Sequence, residues 1–107
     1  MEIVETSVFT RQIQGLISDD EYAELQIALS LRPDLGALIR NGGGIRKARW
    51  GAKGHGKRGG IRVIYYWYVG GDQILMLLAY AKNVQDNLTS EQLKTLRQLV
   101  KEEFGRG

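Results

Sequence analysis

Between Arg46 and Tyr68 the chain reads RKARWGAKGHGKRGGIRVIYYWY, a stretch that begins in glycine and cations and ends in β-branched and aromatic residues. Cations on a glycine-spaced connection, set beside a stiff strand, suit the handling of phosphate through charge-assisted hydrogen bonds. Arg62 is the fixed member of this set, because it falls inside the strand pattern. Lys53 and Lys57 stand on the connection before it, and Tyr80 and Lys82 close the next apolar run. These residues are equipped to cut RNA without a metal. The 2′-OH of the substrate attacks the adjacent phosphorus, so the protein has to remove that proton, steady the phosphorane charge and protonate the departing 5′-oxygen. A lysine crowded by other cations has a lowered pKa and can act as base, and a tyrosine or histidine can complete the proton transfer or stack on a base. Arg46, Lys47, Arg49, Trp50, His55 and Arg58 extend the set as candidates for holding RNA, where cations interleaved with aromatics match single-strand recognition. Each has a plainer role to set against it: Arg62 pairing with an acid at a helix end, Tyr80 packing in the core, His55 idle in solvent.

Whether Arg62 meets Tyr80 and Lys82 depends on strand register. Side chains alternate along a strand, so Arg62 shares a face with Ile64, Tyr66 and Tyr68, and Tyr80 and Lys82 with Met76 and Leu78. A three-residue loop after Val69 puts Arg62 opposite Tyr80, and a five-residue loop puts it opposite Lys82. An even count puts it opposite Ala79 or Ala81.

The elements that must carry these residues are legible from periodicity and caps. Glu2 to Thr6 is a short strand. Phe9, Ile13 and Leu16 recur at helical spacing with Thr6 or Ser7 as the cap. Ser18-Asp-Asp-Glu21 is a capping box with Ile17 and Tyr22 as its staple, and Pro33 stops that helix. Leu35 to Gly44 reads as a connection, Ile45 to Trp50 as a strand, Gly51 to Gly60 as a loop, Ile61 to Val69 as the strongest strand, and Gln73 to Ala81 as a nearly all-apolar central strand. Thr89-Ser-Glu-Gln92 is a second capping box, opening a terminal helix whose stripe is Leu93, Leu96, Val100 and Phe104. Strand, two helices, three strands, helix indicates an α+β fold with a mostly antiparallel sheet, a two-helix N-terminal hairpin on one face and a C-terminal helix. The expectation is that the helices cover one sheet face and leave the other open.

Bulk composition narrows the function. The length, 107 residues, suits a single domain spanning 1–107. With no cysteine, disulfides and thiolate metal sites are excluded; with one histidine a transition-metal site built from histidine is not expected, nor is a cofactor. Acids near the N-terminus and the lack of a long apolar run argue against a leader or a membrane anchor, so a cytoplasmic home is expected. From Leu35 through Gly71 there is no Asp or Glu, yet eight of the 15 basic residues fall there. That asymmetry points to a polyanionic partner. No P-loop, H-E-x-x-H or G-x-S-x-G motif is present. The remaining acids fall on helix starts and turns, where capping accounts for them.

The run IRKARWGAKGHGKRGGIRVIYYWY, followed by LLAYAKNVQDNLT and SEQLKTLRQLVKE, resembles the RelE superfamily of bacterial toxins, specifically its HigB-like branch. The likeness extends upstream through SDDEYAELQIALSLRPDLGALIRNGGG and so covers nearly the whole chain. It implies a RelE-like fold and a ribosome-dependent mRNA endoribonuclease, the toxin of a type II pair. The implied partners are the ribosome with its RNA, mRNA, and a cognate helix-turn-helix antitoxin. Arg62 then matches the strand arginine at the scissile phosphate, and Lys53 and Lys57 the loop lysines credited with base or charge-stabilising work. Lys82 falls near the last-strand cation, and Tyr80 opens the Y-x-K-N element. No tyrosine follows Tyr80, so the identity of the base stays open. Two other functions fit the same scaffold: a non-enzymatic inhibitor of a protein such as DNA gyrase, and an RNA-binding module that does not cut.

Overall fold

The computed structural model describes residues 1–51 and 60–104. The chain enters as β1 (Glu2–Glu5), then forms α1 (Ser7–Gln14) and α2 (Asp19–Leu31), a short β2 (Ala37–Leu38), β3 (Ile45–Trp50), β4 (Ile61–Tyr68), a 3-10 turn at Val69–Gly71, β5 (Gln73–Ala81) and α3 (Ser90–Phe104). The protein is thus α+β, with three helices on a five-stranded mixed sheet ordered β1-β5-β4-β3-β2. β1 runs parallel to β5, and the other pairs are antiparallel.

Local chemistry sets the helix starts. Thr6 caps α1 by accepting from the Phe9 N–H, which decides between Thr6 and Ser7. Ser18 and Glu21 form the reciprocal capping box of α2. Thr89 and Gln92 do the same for α3, with Gln92 Oε1 accepting from the Thr89 N–H and Thr89 Oγ1 from the Gln92 N–H. α1 stops at Gln14, so Leu16 lies just beyond it. Ala37–Leu38, inside the stretch read as a connection, adds an edge strand too short to show in any periodicity.

The expectation that all helices share one sheet face is overturned. Phe9, Ile13, Leu25 and Leu29 of α1 and α2 pack with Ala48, Val63, Tyr65 and Met76 on one face. Leu96 and Val100 of α3 pack with Ile45, Ile64, Leu75 and Leu77 on the other. The reason lies in the central strands: β4 is buried from Ile61 through Tyr65 and β5 from Ile74 through Leu77, with no polar alternation, so both faces require cover. Among the described residues no helix is long and apolar enough to cross a membrane.

A register shift in the β4–β5 pair decides which residue Arg62 meets. Tyr68 pairs with Gln73, so four residues, 69–72, join the strands. On that count Arg62 would face Ala79. Between Ile64 and Tyr65 the register shifts by one, Ile64 pairing with Leu78 but Tyr65 with Met76, and Arg62 comes opposite Tyr80 after all. The extra residue is a β-bulge. It also moves Met76 to the α1–α2 face while Leu77, Leu78 and Tyr80 stay under α3, so the expected shared face of Met76 with Tyr80 does not exist.

Candidate functional site

Arg62 sits on an interior strand with Tyr80 as its register partner on β5 and Arg49 as its partner on β3. Directly paired residues project to the same face of a sheet, and here it is the α3 face. Lys47 joins them there, two residues before Arg49 and opposite Ile64. Three cations and a phenol thus converge at one end of the sheet. Arg62 is 5% exposed, and a guanidinium so enclosed beside a like charge needs an anion.

Asp86 supplies it. The Arg62 Nε–H donates to Asp86 Oδ1 at 3.2 Å, and Nη1 donates weakly to the Ile61 carbonyl at 3.4 Å. The same short segment binds the other members. Tyr80 donates its hydroxyl to the Asp86 carbonyl at 3.2 Å. Lys47 Nζ donates to Asn87 Oδ1 at 2.7 Å and to the Asp86 carbonyl at 3.4 Å. Gln85 Nε2 reaches both the Asn87 carbonyl and Gln92 Oε1, tying the segment to the cap of α3. Asp86 and Asn87 form an oxygen-bearing strap across the cations. The sequence offers an acid at a helix end as a partner for Arg62 but does not single out Asp86, because only the folded sheet brings two residues 24 positions apart together. Of the alternatives for Arg62, the ion pair with an acid near a helix start is the arrangement present.

Burial raises the Tyr80 pKa, the Asp86 carboxylate raises it further, and Arg62 opposes them. At neutral pH Tyr80 therefore holds its proton and acts as a donor.

Lys82 follows the end of β5 and is exposed. Its backbone N–H donates to the Gly60 carbonyl at 3.3 Å, which sets it beside the start of β4. Trp50 and Ile61 are register partners, so the connection between them leaves and re-enters the sheet at this same end. Gly60 is held at φ +79°, where an added Cβ would lie 2.8 Å from the Trp50 carbonyl oxygen. Lys53, His55, Lys57 and Arg58 lie outside the described residues.

Strand alternation divides the rest of the basic stretch. Lys47 and Arg49 share the Arg62 face, while Arg46 and Trp50 project to the α1–α2 face. Trp50 packs against that core, and Arg46 Nη1 donates to the Gly36 carbonyl at 2.8 Å. Among the described residues, no group of three or more His, Cys, Asp or Glu is placed to hold a metal ion.

The anion beside Arg62 in this arrangement is the Asp86 carboxylate, with Tyr80 as a nearby hydroxyl donor and Lys47 and Arg49 on the same sheet face. A family model described as the RelE toxin of the RelE/RelB toxin–antitoxin system matches residues 1–106.

Proposed function

The chain belongs to the RelE toxin family, the toxin half of a toxin–antitoxin system, and from that premise we propose that it is a ribosome-dependent mRNA endoribonuclease of the HigB-like branch, acting in the cytoplasm and neutralised by a helix-turn-helix antitoxin. The supporting observation is the convergence of Arg62, Arg49, Lys47 and Tyr80 on one face at the sheet end where the Lys53–Lys57 connection begins and finishes. The 2′-oxygen attacks phosphorus, its proton passes to a lysine, the bond to the 5′-oxygen breaks and that oxygen takes up a proton. The products are a 2′,3′-cyclic phosphate and a 5′-hydroxyl. Arg62 steadies charge on the non-bridging oxygens, a role in which fixed cations are worth more than mobile ones. Lys82, exposed at the rim, and Lys53 and Lys57 are the candidates for the proton steps. Arg46, Lys47, Arg49, Trp50, His55 and Arg58 are assigned to holding RNA.

One observation favours a second reading. Arg62 is nearly sealed and already paired, which suits a structural ion pair in a toxin that blocks a protein target such as gyrase. Primer extension on message from a translating extract separates the two. Cutting only on ribosomes, lost in Arg62→Ala, supports the nuclease; uncut message with growth arrest retained in Arg62→Ala overturns it.

A further inference from the structure

The two flanks of α3 carry opposite charge. Arg97 and Lys101, four residues apart, line one flank, while Glu91 and Glu102 lie on the other with Thr95 and Leu99, and Lys94 borders that acidic side. The acidic flank faces β5 and the start of α1. The basic flank faces the turn before β3, where Gly42, Gly43, Tyr66, Arg97, Lys101 and Phe104 surround a cavity of about 200 Å³. Two of its walls are aromatic: the Tyr66 and Phe104 rings have centroids 5.4 Å apart, and Phe104 also lies 4.4 Å from Tyr68. The mouth is open at Gly43, where a Cβ would meet nothing within 4 Å. At Gly44 a Cβ would come within 2.8 Å of the Tyr66 ring, so glycine there is what lets the ring lie against the turn. Arg97 and Lys101 are exposed, and neither makes an ion pair among the described residues.

This cavity lies on the same sheet face as Arg62. Ile45 pairs with Tyr66, and Lys47 and Arg49 follow Ile45 along that face to the partner of Arg62. Four residues of strand, about 13 Å, separate Tyr66 from Arg62. A row of cations on β3 therefore leads from one place to the other, with the basic flank of α3 alongside its far end. Cations spaced along a groove that ends in an aromatic pocket are the elements of sequence-tolerant single-strand binding, in which the cations track phosphates and the rings receive a base.

We infer that the groove between α3 and β3 is a second RNA subsite, in which Arg97 and Lys101 hold backbone phosphates and the Tyr66–Phe104 pocket stacks one base of a single strand whose neighbouring nucleotides occupy the Arg62 site. This rests on the reading of RNA as the substrate class but not on cleavage. An acidic protein segment is the competing occupant, and it would use the cations without needing the rings.

The test is anisotropy titration of a labelled single-stranded 2′-O-methyl RNA, which binds but cannot be cut, over a range of salt concentrations. Arg97→Ala with Lys101→Ala removes two phosphate contacts at exposed helix positions that alanine suits. The plot of log affinity against log salt should flatten by about 1.4, from about 0.7 per contact on a single strand. Phe104→Leu keeps apolar volume and removes the ring. Wild-type protein should lose affinity several-fold when one particular position of the strand is made abasic, and Phe104→Leu should lose that sensitivity. An unchanged salt slope in the double variant overturns the inference. So does poly-glutamate competing as well as RNA while the wild-type protein is indifferent to an abasic site at every position, which assigns the surface to an acidic protein. Retained binding effects with no cleavage on ribosomes would sink the nuclease reading and leave this one standing.

Discussion

Asp86→Asn keeps the shape of the strap and removes its charge, so it isolates the ion pair that closes the Arg62 site. A fully buried pair broken on one side costs about 3–5 kcal/mol, because the remaining ion is stranded, while an exposed pair contributes at most about 1 kcal/mol. Here the Arg62 side chain is 6% exposed and that of Asp86 is 53%. Water can replace part of what the carboxylate gave, and the asparagine oxygen still accepts from Nε. The expected loss is therefore about 1–2 kcal/mol, read as a lower urea midpoint at unchanged slope. If the carboxylate stands where a phosphate belongs, inorganic phosphate should restore what the substitution took. At ten times its dissociation constant a ligand that binds the native state adds about 1.4 kcal/mol, so phosphate should close most of the gap in the variant and shift the wild type far less. Equal midpoints for the two proteins without phosphate, or equal stabilisation of both by it, would refute the placement of an oxyanion beside Arg62.

The fold itself sets three further expectations. Tyr65→Phe leaves the Gly36 N–H without its acceptor at 2.8 Å and the Pro33 carbonyl without its donor at 2.7 Å, so about 2 kcal/mol should be lost in urea unfolding; a loss below about 0.5 kcal/mol would mean that the hydroxyl is not needed. Gly60→Ala meets both a positive φ and the Trp50 carbonyl oxygen at 2.8 Å, which is backbone and cannot swing aside; about 2 kcal/mol should be lost, and thermal unfolding at wild-type temperature would contradict the geometry. The pKa values of Tyr22, Tyr65 and Tyr80 are all raised by burial. The unfolded chain therefore releases these protons first, near pH 10, and the native state holds more of them. Stability from this source is complete below pH 10 and is lost above it, so urea midpoints should fall between pH 9 and pH 11, and fall less in Tyr65→Phe.

Much of this architecture is legible in the chain alone. The boxes at Ser18 and Thr89 place the starts of α2 and α3 because a cap is a local device, satisfied within four residues. The central strands announce themselves by apolar content. What their composition also implies, burial on both faces, is the physical reason α3 crosses to the side opposite α1 and α2, since its stripe of Leu93, Leu96 and Val100 fits either face equally well. Ala37–Leu38 was beyond reach, since a two-residue strand has no period. Within the site, the cations Arg62, Arg49 and Lys47 were legible by type, but their common face depends on pairing. Asp86 was hidden because its partner, Arg62, lies 24 residues away in the sequence and only the folded sheet brings the two together.

The bulge shows how little separates this site from a different one. The 69–72 connection alone sets a register in which Arg62 faces Ala79, a residue that points to the α1–α2 core. Inserting one residue into β5, at the place where Leu77 and Leu78 both turn towards α3, restores the partnership with Tyr80 on the exposed end of the sheet. It also fills space beneath α3 with an additional apolar side chain, so one irregularity serves both packing and chemistry. Tyr80 then lies close enough to donate to the Asp86 carbonyl while Asp86 meets Arg62. A slip of one residue in β5 would turn every side chain beyond it to the opposite face, burying Tyr80 among the α1–α2 contacts and leaving the strap without one of its three anchors. The grouping of Arg62 with Tyr80 and Asp86 is thus a property of the β4–β5 register rather than of the basic connection that first draws the eye.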